Sequence, residues 1–185
     1  RHAVTGPAYD DLRAVRAAAD RMVRDTLAQL DPAERIRRSL TIADDALHID
    51  GQPTAYPLTD LRVIAIGKAA DRMAAAVDRG LAPLSSRGSR RGLIVPTYAT
   101  EEPLPAAGAD WQRIEGGHPL PTAGSVAAVE AARGLLQGAS AQTVVLFLIS
   151  GGGSAAFEAP LDPRVTLDDL IAVNRALVLG GLPID

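Results

Sequence analysis

The sequence predicts an α/β fold with a mostly parallel sheet and helices on both faces. Short apolar, β-branched segments alternate with amphipathic helical segments, and this alternation is typical of sheets whose strands are buried on both faces. The chain has 185 residues, the size of one domain, and aromatic residues make up only 3% of it. The core therefore has to be built from alanine, valine, leucine and isoleucine, which suits helices packed closely on a sheet.

The N-terminal part is predicted to be a pair of helices followed by a small hairpin. Apolar residues spaced three and four apart indicate an amphipathic first helix with an arginine-rich outer face. Asp31 as N-cap and Pro32 in the first turn mark the start of a second helix, and the Asp50–Gly51 pair predicts a hairpin turn. The predicted bounds are Tyr9–Leu30 for the first helix, about Leu40 for the end of the second, and Leu47–Ile49 with the segment to Tyr56 for the hairpin.

The rest of the chain alternates between strands and helices in a three-layer, Rossmann-like order. Apolar runs predict three strands, of which the run that ends at Ile149 is the strongest, and Trp111–Glu115 is a candidate for a further strand. Thr166 and Asp169 form a capping box that opens the last helix, which is ended by Gly180, Gly181 and Pro183. The predicted bounds are Leu61–Ile66, Gly92–Val95, Trp111–Glu115 and Thr143–Ile149 for the strands, and Lys68–Leu81, Thr122–Leu136 and Thr166–Leu179 for the helices.

Composition and charge exclude several classes of function. The net charge is −3 and the pI is about 5.6, whereas a general nucleic-acid binder carries a basic excess. Cysteine is absent, which excludes disulfides, thiolate metal sites and cysteine nucleophiles. The apolar run Val144–Ile149 is too short to cross a bilayer, and the N-terminal segment is too charged for a signal peptide. We therefore expect a cytoplasmic protein that binds neither nucleic acid nor membrane.

Lys68 is the only lysine, although lysine and arginine together number 19. It follows a predicted strand directly, between Gly67 and Ala69, at the start of a predicted helix. A cation is disfavoured at this end of a helix unless an anion is also present, and a helix N-terminus together with an ammonium group forms a phosphate site. The alternative is that a biased codon supply has left one stray lysine.

Three consecutive glycines follow the strongest predicted strand. In an open α/β sheet, ligands bind beyond the carboxyl ends of the strands, and a glycine-rich bend there can point backbone N–H groups at an anion. The segment is not a Walker loop, since no Gly-Lys-Ser/Thr follows, and Ala156 replaces the last glycine of the dinucleotide pattern. A plain tight turn is the alternative. The predicted phosphate-binding residues are Gly67, Ser150, Gly151, Gly152, Gly153 and Ser154.

A third loop, Glu115–Pro121, contains two glycines and two prolines that restrict its conformation. Such a loop can hold His118 in a fixed position, where it could donate to a phosphate or bind substrate. Glu115 could serve magnesium. The alternatives are that His118 is a hydrogen-bonded turn histidine and that Glu115 is a solvated carboxylate, and the sequence is equally compatible with these. It has no pattern of clustered histidines or paired carboxylates for a metal site.

At these three loops the sequence resembles the class II glycerate 2-kinase family, whose members were long labelled hydroxypyruvate reductases. The opening helices and the last predicted helix fit as well, so the resemblance covers nearly the whole chain. Four motifs in the same order are much more specific than any one of them. The matching segments are Ile64–Ala70 with Met73 and Ala74, Glu115–Pro121, Leu148–Ala155, and, at the last helix, Thr166–Asn174 with Leu177 and Gly181–Ile184.

The resemblance implies ATP-dependent phosphoryl transfer to the 2-hydroxyl of D-glycerate, which gives 2-phosphoglycerate. In that reaction Lys68 would neutralise the transferring γ-phosphoryl group, the amides of Gly151–Ser154 would hold the ATP phosphates, and His118 and Glu115 would be supporting residues. Mg²⁺ would bridge the phosphates, mostly through water. The general base and the group that binds the glycerate carboxylate are not identifiable in this chain.

Members of this family are longer and have a second α/β domain, with the active site in the cleft between the two domains. The resemblance therefore implies that residues 1–185 are the first part of the N-terminal nucleotide-binding domain. The remainder of that domain and the second domain would lie outside this chain, which would be inactive by itself.

Two other functions stay open on the sequence. A reductase that uses NAD(P)H on hydroxypyruvate would need a dinucleotide fingerprint and an acidic residue after the next strand, where the chain has Pro96 and Thr97. A non-catalytic module would bind a nucleotide or phosphate at the same loops without turnover. The oligomeric state is also open, with a homodimer as one alternative.

Overall fold

The computed structural model describes residues 7–84 and 88–180. Its N-terminal part consists of two helices and a three-stranded antiparallel sheet of order β1-β2-β3. The Asp31 carboxylate accepts a hydrogen bond from the Ala33 amide at 3.0 Å, so the predicted N-cap of the second helix is confirmed. The bounds of these elements are α1 Pro7–Gln29, α2 Pro32–Ser39, β1 Leu40–Ala43, β2 Ala46–Ile49 and β3 Ala55–Pro57.

The predicted hairpin is confirmed as β2 and β3, but the structure adds β1, which the sequence analysis missed. Ala43 pairs with Ala46, so a two-residue turn of Asp44 and Asp45 joins β1 to β2. Both aspartates have positive φ angles, 53° and 58°. Asp tolerates this conformation and favours two-residue hairpin turns, although less specifically than Asn-Gly or Asp-Gly.

The apolar stripe of α1 is exposed rather than buried. The predicted helix is confirmed, and its outer face carries the expected arginines. The large apolar side chains along α1 and just after it nevertheless have between 58% and 67% of their surface exposed, because no other described element packs extensively against this helix. The exposed residues are Leu12, Val15, Met22, Val23, Leu27 and Leu30.

The main sheet has four parallel strands in the order β6-β5-β4-β7, as the alternation of elements predicts. Leu61, Val63 and Ala65 point to the face covered by α3, whereas Ile64 and Ile66 point to the face covered by α4. The three-layer arrangement is therefore confirmed. The bounds are β4 Asp60–Ile66, α3 Ala70–Leu81, β5 Ser89–Val95, β6 Asp110–Arg113, α4 Ala123–Leu136, β7 Thr143–Ile149, α5 Gly153–Ala156 and α6 Leu167–Leu179, with a short 3₁₀ helix at Ala82–Leu84.

Helix ends agree with the predicted capping residues, with one shift that matters for function. Thr166 caps α6, where its hydroxyl accepts from the Asp169 amide at 3.2 Å. Helix α3 begins two residues later than predicted, so Lys68 lies in the turn between strand and helix. The predicted terminator Gly180 follows α6, whereas residues 181–185 lie outside the described region. None of the described helices has the length and apolar character needed to span a bilayer.

Strand β7 is less buried than the sequence predicts. Alternate side chains of this strand are exposed, at 37% for Val145, 47% for Phe147 and 70% for Ile149. The strand lies at the edge of the sheet, and α4 packs mainly on β5 and β4. One face of β7 is therefore uncovered within the described residues, although its composition suits burial on both faces.

A buried ion pair closes the end of the sheet opposite the glycine loop. Arg62 is 3% exposed, pairs with Asp60 at 2.7 Å, and donates to the carbonyl oxygens of Leu135 and Gln137 at the end of α4. The Thr143 hydroxyl donates to the same aspartate at 2.8 Å. The hydrogen bond from Arg62 holds the pKa of the Asp60 carboxyl below its usual value, with a smaller contribution from Thr143, against the opposing effect of burial.

This network predicts an acid-dependent contribution to stability. Because the folded-state pKa of Asp60 is lowered, its contribution is complete above the unfolded-state pKa of about 4 and is lost as pH falls through the folded-state value. The free energy of unfolding of the wild type should therefore exceed that of Asp60→Asn at pH 7, and the difference should shrink below about pH 4. Urea unfolding of both proteins between pH 7 and pH 3 measures this difference, and a difference independent of pH would contradict the prediction.

Candidate functional site

Three loops meet at the carboxyl edge of the parallel sheet. The turn after β4 and the loop after β7 are joined directly, since the Lys68 amide donates to the Gly151 carbonyl oxygen at 2.9 Å. The loop after β6 joins the same edge, because the Gly116 amide donates to the carbonyl oxygen of Pro96, directly after β5, at 2.9 Å. The lysine turn and the triple-glycine loop, which the sequence places more than 80 residues apart, therefore lie side by side.

The turn that carries Lys68 depends on the glycine before it. Gly67 has a φ angle of +103°, and its amide donates to the Val95 carbonyl oxygen at 3.0 Å. A Cβ atom at this position would lie 2.6 Å from both the carbonyl oxygen and the Oγ of Ser150. The backbone conformation and the close approach of the neighbouring loop both require glycine.

The Lys68 ammonium group is accessible and has no ion-pair partner among residues 7–84 and 88–180. The nearest acid along α3 is Asp71, whose carboxylate instead accepts from Nε of Arg113 at 2.8 Å. That pair is largely buried, with 13% and 17% of the two side chains exposed. The positive charge at the start of α3 is therefore available to an anion.

The triple-glycine loop presents free backbone donors at the same edge. The amides of Gly151, Gly152 and Gly153 donate to no group in the described part of the chain. Gly152 has a φ angle of +85°, and a Cβ atom there would lie 3.0 Å from Cγ2 of Thr97 and 3.4 Å from Nδ1 of His118. Glycine therefore lets three loops approach closely while leaving backbone N–H groups unpaired among the described residues, which is the arrangement of an anion-binding concavity.

The predicted serines differ in their availability. Ser154 is exposed in the first turn of α5 and its hydroxyl has no partner among the described residues. The Ser150 hydroxyl donates to the Ile66 carbonyl oxygen at 3.1 Å and accepts from the Ala69 amide at 3.0 Å. Ser154 is therefore free to meet a ligand, whereas Ser150 is bonded to the lysine turn.

The third predicted loop is held by a buried serine. Ser125 is fully buried, and its hydroxyl accepts from the Gly117 amide at 2.9 Å and from the Thr122 amide at 3.0 Å. These bonds fix both ends of the segment that carries His118, which is exposed beside Gly152. Glu115 is exposed as well, but no described contact joins its side chain to the glycine loop.

Two features of the site escaped the sequence analysis. Tyr98 is 54% exposed, and its hydroxyl donates to the Lys68 carbonyl oxygen at 3.3 Å, so its ring stands at the rim of the site. An aromatic residue just after a strand was the available signal in a chain with so few aromatic residues. Ser125 could have been noticed as a serine in the first turn of a predicted helix, but its two partners depend on how the preceding loop folds back.

The described residues contain no cluster of three or more His, Asp or Glu side chains that could hold a metal ion. Glu158, the acid closest in sequence to the glycine loop, accepts a hydrogen bond from the Asn174 side chain at 3.0 Å.

The geometry of the lysine turn leads to a prediction about stability. Gly67→Ala should lower the free energy of unfolding by at least about 1–3 kcal/mol, the usual cost of a strained backbone conformation, because the new Cβ atom also contacts Ser150. Gly151→Ala is the matched control, since its Cβ atom would meet no atom within 4 Å and its φ angle is not positive. Urea unfolding should show a change of less than about 0.5 kcal/mol for the control. Equal stability of the two variants would contradict this account of the turn.

Comparison with known proteins identifies relatives that share both sequence and fold. The sequence profile of the family described as "Domain of unknown function (DUF4147)" matches residues 18–185. A protein of Pyrococcus horikoshii named glycerate 2-kinase is 30% identical over 170 residues, which is 92% of this chain and 36% of that protein. The chain thus spans little more than a third of the length of this relative.

Two solved structures match most of this chain. A crystal structure of a P. horikoshii protein has a TM-score of 0.73 at 29% identity, over 92% of this chain and 36% of that chain. A crystal structure of glycerate kinase from Thermotoga maritima has a TM-score of 0.67 at 25% identity, over 93% of this chain and 36% of that chain.

Proposed function

The chain belongs to the DUF4147 family, and from that premise we propose that it forms part of an ATP-dependent kinase that phosphorylates the 2-hydroxyl of D-glycerate. One observation carries the proposal. A lysine ammonium group and three backbone amides, all without partners among residues 7–84 and 88–180, lie on adjacent loops at the edge of a parallel sheet where ligands bind. The relatives named glycerate 2-kinase and glycerate kinase support this substrate class.

Phosphoryl transfer requires positioning and the neutralisation of negative charge that is spread over phosphate oxygens. The Lys68 ammonium stabilises charge on the transferring γ-phosphoryl group. The N–H groups of Gly151, Gly152 and Gly153, with the hydroxyl of Ser154, hold the other ATP phosphates. Because these donors are fixed by the fold, little reorganisation is needed during the reaction.

His118 and Glu115 act as supporting residues in this proposal. His118 lies close enough to Gly152 to donate to a phosphate or to the acceptor substrate. Glu115 is exposed on the loop after β6, and its carboxylate would serve as a supporting group for a hydrated Mg²⁺ ion. Bound Mg²⁺ would help to neutralise the phosphate charge, and it usually keeps several water ligands.

The chain is the first part of a longer polypeptide in this proposal. The relatives extend well beyond the matched region, since the match covers 36% of their length. The exposed apolar stripe of α1, the uncovered face of β7 and the exposed side chains of α6 support further packing on this domain. The general base and the carboxylate-binding group then lie outside residues 1–185. A cytoplasmic location and a homodimer remain predictions.

The reductase alternative has less support. The loop Gly151–Ala156 lacks the dinucleotide pattern, and the strand β5 is followed by Pro96, Thr97 and Tyr98 rather than by an acid that could bind ribose. A phosphate-binding module without turnover would use the same loops as the kinase. These functions are separated by activity, not by the fold.

The full-length gene product tests the proposal directly. Incubated with ATP, Mg²⁺ and D-glycerate, it should form ADP and a product whose ³¹P NMR signals identify 2-phosphoglycerate. NADH oxidation with hydroxypyruvate is measured in parallel and should not occur. Reduction of hydroxypyruvate without ADP formation would replace the proposal by the reductase, and ATP binding without turnover of D-glycerate would replace it by the binding module.

A further inference from the structure

The Ser150 hydroxyl is bonded to both ends of the turn that carries Lys68. It donates to the Ile66 carbonyl oxygen at 3.1 Å and accepts from the Ala69 amide at 3.0 Å. The Ser150 amide also donates to the Ile66 carbonyl oxygen, at 2.9 Å. One side chain from the loop after β7 therefore spans the Gly67–Lys68 segment, more than 80 residues away in sequence.

These bonds conflict with a role for Ser150 as a phosphate ligand. A serine hydroxyl has one proton, and in this structure that proton goes to the Ile66 carbonyl oxygen. To donate to a phosphate, the Ser150 hydroxyl would have to break this bond. The Ile66 carbonyl oxygen would then keep the Ser150 amide as its one donor from this loop. Ser154 and the three glycine amides carry no such bond, so the loop has other donors that are free.

Side chains within the lysine turn give it little support, although backbone hydrogen bonds join the Ala70 amide to the Gly67 carbonyl oxygen at 3.1 Å and the Gly67 amide to the Val95 carbonyl oxygen at 3.0 Å. Ala69 is the N-cap of α3 and has no side chain that could accept a hydrogen bond from the first helical turn. Gly67, with its positive φ angle, has more conformational freedom than any other residue type. A turn built from these two residues needs a hydrogen-bond partner from elsewhere in the fold if the Lys68 side chain is to keep one orientation.

We propose that Ser150 is a positioning residue that acts through Lys68, by holding the Ile66 carbonyl and the Ala69 amide on either side of the lysine. The Lys68 amide is fixed by the Gly151 carbonyl oxygen at 2.9 Å, so the loop after β7 holds three consecutive peptide groups around the turn. Loss of the hydroxyl leaves the Ala69 amide without its acceptor and the Ile66 carbonyl oxygen with the Ser150 amide as its one donor from this loop, which lets the ammonium group shift relative to the phosphates. This inference rests on the proposed kinase activity, and it changes the role of Ser150 from a phosphate ligand to a support.

Kinetics of the full-length gene product with ATP and D-glycerate separate the two roles. Ser150→Ala should lower kcat by about 10-fold or more, since small misplacements of a catalytic group are costly, while KM for ATP changes less than about 3-fold. Ser150→Thr keeps the hydroxyl and should retain most of kcat. Ser150→Val has a side chain of the same shape as threonine but no hydroxyl, and should not. Ser140→Ala removes a hydroxyl that also accepts from a backbone amide, near the other end of β7, and should leave both constants unchanged.

A double-mutant cycle tests whether Ser150 acts through the lysine. In the Lys68→Met background, Ser150→Ala should change kcat by less than about 2-fold, because the group that it positions is gone. Additive losses would overturn the inference, and so would a rise in KM for ATP with unchanged kcat. If Lys68→Met itself retains full activity, the proposed role of the lysine fails together with this inference. If Lys68→Met loses activity but the effects of the two substitutions on kcat are additive, only this inference fails. Should Ser150→Ala not fold, the threonine and valine variants supply the same comparison.

Discussion

Lys68→Met is expected to lower kcat for D-glycerate phosphorylation by about 10²-fold or more. This is the usual consequence of removing one fixed group that stabilises the charge developing in the transition state. The expectation follows from the Lys68 side chain, which is exposed and unpaired among the described residues, on a turn whose backbone bonds directly to the glycine loop. Methionine retains much of the length of the side chain but removes its charge. A coupled assay of ADP formation by the full-length gene product measures the effect.

Two further variants distinguish the role of Lys68 from a general effect of charge. Lys68→Arg should recover little activity, because a planar guanidinium group does not occupy the position of a compact ammonium group. Arg72→Gln removes a cation from the exposed side of α3, where Arg72 pairs with Asp31 at 3.2 Å, and should leave kcat unchanged. Turnover of Lys68→Met within about 3-fold of the wild type would refute the assigned role.

Asp78→Ala is expected to cause the largest loss of stability. The Asp78 carboxylate is 2% exposed and accepts four hydrogen bonds: from the amides of Ala107, Gly108 and Ala109 at 2.7–2.9 Å, and from Nε1 of Trp111 at 2.8 Å. Each buried donor left without a partner costs about 1–3 kcal/mol. The variant should therefore lose more than about 3 kcal/mol of free energy of unfolding.

Asp78→Asn provides the graded comparison for this prediction. One carboxylate oxygen accepts three of the four bonds, and the asparagine carbonyl can replace it, so only the Ala107 amide loses its acceptor. Urea unfolding should place Asp78→Asn between the wild type and Asp78→Ala. A loss of less than about 1 kcal/mol in Asp78→Ala would show that the connection from β5 to β6 does not depend on this carboxylate.

Local signals in the sequence were sufficient for most elements of the fold. Apolar, β-branched runs located three of the four parallel strands, and the capping residues Asp31 and Thr166 located two helix starts, because capping bonds join residues two or three apart. Strand β1 escaped because its turn uses Asp44 and Asp45, a weaker signal than a glycine-containing turn. The exposure of β7 could not be predicted, since it depends on strand order and on where α4 packs, neither of which is a local property.

The site was predictable to the level of loops but not of atoms. Parallel strands bring their carboxyl ends to one edge, so the meeting of the Lys68 and Gly151–Gly153 loops followed from the alternation of strands and helices. The engagement of the Ser150 hydroxyl could not be read from the sequence, because its partners lie more than 80 residues away. Asp78 was missed for the same reason, although an aspartate within the apolar stripe of a helix near its C-terminus was an available signal.

A crystal structure of the full-length gene product with a non-hydrolysable ATP analogue and D-glycerate tests the central claim most directly. We expect the terminal phosphate to lie within hydrogen-bond distance, about 3 Å, of both the Lys68 ammonium group and at least one amide of Gly151, Gly152 or Gly153. A nucleotide bound with its phosphates away from both loops would contradict the account.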